Sequence, residues 1–136
     1  MDTELFVVKG KVYQQTKGYS AQVGEDIGYE KAAKMIKANY DQNPDDAIAH
    51  FVGKDIILKV LAQPGVVGMR MFYAVNDLGL RHLVIVGTDA TGKNVVEYST
   101  VNNEGEMIKN KGVIVAASRT CPPYCDGATS TTTPGW

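Results

Sequence analysis

Cys121-Pro122-Pro123-Tyr124-Cys125 is the segment whose residue types point most directly to chemistry. Three residues separate the two sulfurs. The spacing is therefore neither the C-x-x-C of thiol oxidoreductases nor that of zinc knuckles. Each proline fixes a φ angle and removes a backbone donor, so the segment reads as a stiff turn. Such a turn can pre-organise a small-loop disulfide, a redox-responsive pair or two thiolate ligands. The chain has two cysteines and two histidines. His50, His82, Cys121 and Cys125 thus match in number the four ligands of a tetrahedral metal site. The histidines lie far apart and show no finger-like spacing, so an ordinary hydrogen-bonded imidazole is the alternative for each. A lasting disulfide at Cys121 and Cys125 would be unusual in the cytoplasm.

Other motifs resolve into structure rather than chemistry. Gly87-Thr88-Asp89-Ala90-Thr91-Gly92-Lys93 matches G-x-x-x-x-G-K. A phosphate loop needs Ser or Thr next, where Asn94 stands, and a helix whose amino end holds the phosphate. Val95 to Val101 reads as strand instead, so the motif is expected to be a hairpin loop with Gly92 at positive φ. Carboxylate pairs occur at Glu25-Asp26, Asp45-Asp46 and Glu104/Glu106. All lie in polar, turn-like stretches rather than in the cleft that acid–base work requires. There is no G-x-S-x-G elbow. Neither cysteine sits at a helix start that would favour its thiolate. The sequence names no active site and implies no cofactor.

The elements that must position these residues are legible in outline. Residues 4–13 are β-branched and aromatic and read as a strand. Asp26 is a plausible cap for a helix running to about Tyr40, with Tyr29, Ala33, Ile36 and Tyr40 on its apolar face. Lys31, Lys34 and Lys37 fall opposite and read as a solvated stripe. Asn43-Pro44 reads as a turn, or as the start of a second helix. A helix from Lys54 to Ala62 puts Ile57, Leu58 and Leu61 on one face and ends at Gln63-Pro64-Gly65. Met69 to Ala74 and Leu80 to Gly87 read as a hairpin closed by Asn76-Asp77-Leu78-Gly79. Leu83 to Val86 reads as a central strand, and Asn94 to Val101 and Val113 to Ala117 as further strands. No internal repeat is evident. The expected architecture is α+β: two helices packed on one face of an antiparallel sheet, a single domain over 1–126, and a Thr-rich tail over 127–136.

Composition limits the partners. Fourteen Lys+Arg stand against 15 Asp+Glu, and the formal charge of −1 excludes nucleic-acid binding driven by net positive charge. The apolar fraction of 44% suits a globular domain. No stretch approaches the roughly 20 apolar residues of a membrane helix. The start is acidic and its apolar run stops at Val8, unlike a secretory signal, so a cytoplasmic protein is expected. Trp136, after the Thr-rich run, can anchor on a neighbouring subunit, and the N-terminal strand can add to another chain's sheet edge.

Four segments carry a resemblance: Leu61-Ala62-Gln63-Pro64-Gly65, Gly68-Met69-Arg70-Met71-Phe72-Tyr73, Leu83-Val84-Ile85-Val86-Gly87-Thr88-Asp89, and Cys121-Pro122-Pro123-Tyr124-Cys125. Across about residues 47–125 the chain resembles a loose set of short bacterial proteins with no established activity, so the resemblance implies no catalytic role. A cysteine sometimes seen in that set after the Pro-Gly turn is replaced here by Val66 and Val67, which removes one possible thiol partner for Cys121 or Cys125. Taken together, these readings favour a non-enzymatic protein acting through protein association, including with itself. Arg70, Tyr73 and Trp136 are the expected interface residues. The rivals are a redox- or metal-responsive protein centred on Cys121 and Cys125, and a small enzyme with an unrecognised pocket.

Overall fold

The computed structural model describes residues 3–16, 18–117 and 119–121. Cys125, Trp136 and the expected tail over 127–136 lie outside them. Among the described residues the order is β1 (Thr3–Val8), β2 (Lys11–Thr16), α1 (Tyr29–Gln42), β3 (Ala49–Phe51), α2 (Lys54–Leu61), β4 (Val66–Val75), β5 (Arg81–Asp89), β6 (Glu97–Val101), β7 (Met107–Lys111), β8 (Ile114–Ala116) and β9 (Arg119–Cys121). The class is α+β.

One turn device, used three times, organises the stretch from β4 to β7. Asn76, Asp89 and Asn102 stand 13 residues apart, and each is followed three residues on by glycine. The Oδ1 of Asn76 accepts from the backbone N–H groups of Leu78 and Leu80. That of Asp89 accepts from Thr91 and Lys93, and that of Asn102 from Glu104 and Glu106. Gly79, Gly92 and Gly105 sit at φ 80°, 86° and 79°, the left-handed region that a side chain makes costly. The same five-residue reversal therefore closes each successive hairpin.

These strands do not form one broad sheet. β5 is central in a three-stranded antiparallel sheet, between β4 and β8, with Ile85 opposite Met71 on one side and Val115 on the other. β1–β2, β3–β9 and β6–β7 are separate antiparallel pairs. The expected central strand is thus present at β5, while the single sheet is divided. A strand read over residues 4–13 is a hairpin instead. Lys9 and Gly10 both adopt positive φ, 52° and 73°, the two-residue reversal whose twist suits paired strands. β7 and β9 were not expected: β7 falls in the polar stretch after Val101, and β9 is three residues long.

The core is small, and Ile85 and Val86, on opposite faces of β5, are both buried. Val60, Ile85 and Val115 are buried together, with Val52, Ile56, Met69 and Val113 packed against them. α2 supplies this core through Ile56 and Val60, one turn apart, rather than through Leu58 and Leu61, which are exposed. Gln63 closes the helix end. Its Nε2 donates to the Val60 carbonyl at 3.0 Å and its Oε1 accepts from Val113 N–H at 2.8 Å, so a buried amide links α2 to the approach to β8.

α1 starts at Tyr29 because Asp26 spends its carboxylate on Gly28 N–H, forming a turn just before the helix. Asn43 caps the helix's carboxyl end, and no second helix begins there. Ala33, Ile36 and Tyr40 are half-buried, and no residue of α1 is buried. Lys31, Lys34 and Lys37 face solvent, Lys37 pairing with Asp41 at 2.7 Å. Among the described residues no helix is long and apolar enough to cross a membrane.

Candidate functional site

Arg70 lies on β4, an edge strand, just beyond the bulge between Val66 and Gly68. Its side chain is held by the loop that mimics a phosphate cradle. Nη1 donates to the Gly92 carbonyl at 3.1 Å and to Asn94 Oδ1. The guanidinium carbon lies 5.4 Å from the centre of the Tyr19 ring, a cation–π placement. Tyr19 in turn rests on Gly92, where an added Cβ would come within 2.4 Å of the ring. Glycine at position 92 is thus demanded both by φ and by the ring above it.

The loop itself contains no nucleotide cradle. Asn94 bridges to Thr88 and Val95 N–H donates to the Gly87 carbonyl, so an extended segment follows Lys93. Asp89 accepts from the Thr91 hydroxyl as well as from the backbone. That hydroxyl first, and the Lys93 N–H next, hold its carboxyl below the ordinary value.

Around Arg70 opens a cleft of about 650 Å³. Hairpin β1–β2 contributes Phe6, Glu4 and Gln15, the segment after it contributes Tyr19 and Val23, and β4 and β5 contribute Met69 and Thr88. Two polar groups here keep bonding capacity to spare. No carboxylate among the described residues pairs with Arg70. The buried Oγ1 of Thr88 has no hydrogen-bond partner.

A second polar corner joins residues that are distant in sequence. The His50 and His82 rings lie 6.2 Å apart, centre to centre. Asn76 fixes its own amide orientation by accepting two backbone N–H groups, so its Nδ2 must donate to His82 Nε2, at 2.8 Å. His82 Nδ1–H then donates to the Ala117 carbonyl at 2.9 Å. Both nitrogens of His82 are engaged, which leaves no lone pair for a metal. Nδ1 of His50 is buried without a partner. Burial first, then His82 and Arg81, lower the His50 pKa below its ordinary 6.5. Among the described residues no three His, Cys, Asp or Glu side chains gather as metal ligands.

The remaining expected residues are spread out. Tyr73 is 83% exposed, with Arg81 5.9 Å from its ring centre and Arg81 itself 3.5 Å from Asp46. Cys121 is 3% exposed and disulfide-bonded, in a strand that pairs Ala49 with it and His50 with Thr120. The sequence's other cysteine, Cys125, lies outside the described residues. Reasoning from sequence singled out Arg70 but missed Tyr19, Thr88 and Glu4. Compared with protein-family models, with curated proteins and with solved structures, the chain matches none.

Proposed function

We propose that this chain is a non-enzymatic single-domain protein that associates with a second copy of itself through the outer edge of β1. The observation that carries the reading is the state of hairpin β1–β2. Every residue of β1 is exposed, and Leu5, Val7 and Val12 share the face turned away from the cleft, at 71%, 71% and 66% exposure. A two-stranded hairpin alone is marginally stable in water and gains from further strands on an apolar face. The outer edge of β1 has no strand beside it among the described residues and so offers free backbone groups.

A second copy is the partner that fits. Antiparallel pairing of β1 with its own twin about a two-fold axis, Phe6 opposite Phe6, sets Leu5 opposite Val7 in both directions. It doubles the Leu5-Val7-Val12 face across four strands, and one contact serves both subunits, as closed symmetry requires. The formal charge of −1 sets up little repulsion between copies.

Sedimentation velocity over a range of micromolar concentrations tests this. The full chain is expected to form dimers or larger species, and Val7→Lys to remain monomeric with an unchanged circular dichroism spectrum. A wild-type chain that stays monomeric throughout would refute the reading.

A thiol-based role is the second reading, supported by the disulfide at Cys121 beside the β3 pairing. The expected cytoplasmic setting goes with free thiols, whereas a permanent bond goes with an oxidising compartment. Intact mass after alkylation, with and without reductant, separates the two. Uptake of label only after reduction, with loss of the dimer, would favour the thiol role. Label uptake without reduction would remove it.

A further inference from the structure

Arg70 is a half-buried cation with no carboxylate within ion-pair distance among the described residues. Taking charge out of water without compensation is costly, so such a group calls for an anion. Its donors are divided in a particular way. Nη1 is spent on Gly92 and Asn94, while Nη2 and Nε–H have no partner among the described residues. Those two nitrogens form the edge of a guanidinium that matches the two oxygens of a carboxylate. The Tyr19 ring, wedged against Gly92, keeps the plane of the guanidinium in place, so little rotamer freedom remains to be lost on binding.

The walls decide what the anion is attached to. Phe6, Val23 and Val67 line the cleft and give it an apolar body. Its volume, about 650 Å³, lies inside the range of roughly 300–1,000 Å³ typical of small-molecule sites. Glu4 faces the same space from β1 and opposes a second negative charge. One guanidinium facing one carboxylate favours a singly charged ligand over a phosphate ester or a nucleotide. The buried Thr88 hydroxyl on the cleft floor, without a partner, is a further donor that a second oxygen can satisfy.

We propose that the cleft between hairpin β1–β2 and the bulge of β4 binds a small monocarboxylate with an apolar body, the carboxylate on the free edge of Arg70 and the body against Phe6, Tyr19 and Val23. The G-x-x-x-x-G-K loop then has a role without phosphate: through Gly92 and Asn94 it aims the arginine.

Isothermal titration of the full chain with octanoate, repeated with octanamide and with inorganic phosphate, tests the proposal. Octanoate binds, and the amide and phosphate bind at least about tenfold more weakly, the factor that 1.4 kcal/mol represents. Arg70→Gln lowers octanoate affinity by about tenfold or more, whereas Arg70→Lys, which keeps the charge and loses the fork, falls between. Thr88→Val lowers affinity while leaving thermal stability equal or higher, because it removes a buried hydroxyl with no partner. Val7→Lys, on the opposite face of the hairpin, leaves octanoate binding unchanged and so separates this site from the β1 edge. Absence of octanoate binding overturns the proposal. So does equal binding of octanamide, and so does affinity that survives Arg70→Gln in a variant whose circular dichroism matches wild type.

Discussion

Gly92 and Tyr19 are in direct contact: a methyl group at position 92 would lie 2.4 Å from Cε2 of the Tyr19 ring and 2.8 Å from Cζ. The backbone at Gly92 has φ 86° besides. Gly92→Ala therefore meets two separate penalties, and a loss of about 2–3 kcal/mol is expected in urea unfolding. Tyr19→Ala removes only the ring. The double variant should lose less than the two single losses added together, because the steric part vanishes while the φ part remains. Strict additivity would show that ring and loop are uncoupled, and that Tyr19 does not hold Arg70 through this contact.

Gln63 illustrates a buried amide whose bonds are all made to backbone. Removing the amide of Gln63, a residue 6% exposed, with Gln63→Ala strands the Val113 N–H, while the Val60 carbonyl keeps only the Gln63 backbone N–H at 3.4 Å. An orphaned buried group costs about 1–3 kcal/mol, so a loss within that range is expected. Gln63→Glu keeps an acceptor for Val113 but sets an oxygen against the Val60 carbonyl, and should also be destabilised at neutral pH. Urea midpoints equal to wild type for both variants would mean that the link between α2 and β8 is unimportant.

What the sequence made legible follows from locality. The β4–β5 hairpin is written in neighbouring residues, with a polar reversal at Asn76–Gly79 between two β-branched runs, and α2 is written in its period. The recurrence of Asx-x-x-Gly at 76, 89 and 102 was equally present, and it announces β7 as well. It goes unnoticed because the intervening strands share no residue pattern, only a turn. β3 and β9 are harder: three residues each, paired across about half the chain, they carry no local period. For the cleft, Arg70 stood out as a charge within a strand. Tyr19, in a stretch without regular structure, gave no signal, because its role depends on a glycine more than 70 residues away.

Hairpin β1–β2 was hidden by its reversal. Lys9 occupies a position with φ 52°, where asparagine or glycine is the usual choice. Lys9→Asn should therefore strengthen the hairpin by roughly 0.5–1 kcal/mol, within the range of ordinary turn optimisations. Slower amide exchange at Phe6 and Tyr13, a hydrogen-bonded pair across the two strands, is the measurement. Faster exchange there would show that Lys9 does not adopt this conformation in solution.

His50 links the second polar corner to pH. Its folded pKa is lowered from 6.5, by burial first and then by His82 and Arg81. The unfolded chain therefore binds the proton more readily than the folded one. By linkage, stability from this group is intact above the unfolded value, falls as pH drops through about 6.5, and levels off below the folded value. His50→Phe removes the titration and leaves no buried nitrogen without a partner, which Nδ1 now is. Urea midpoints measured between about pH 8 and about pH 5 should decline more steeply for wild type than for His50→Phe, since imidazole is the group that titrates in this window. Parallel curves would place the proton uptake elsewhere and remove His50 as the origin of the acid sensitivity.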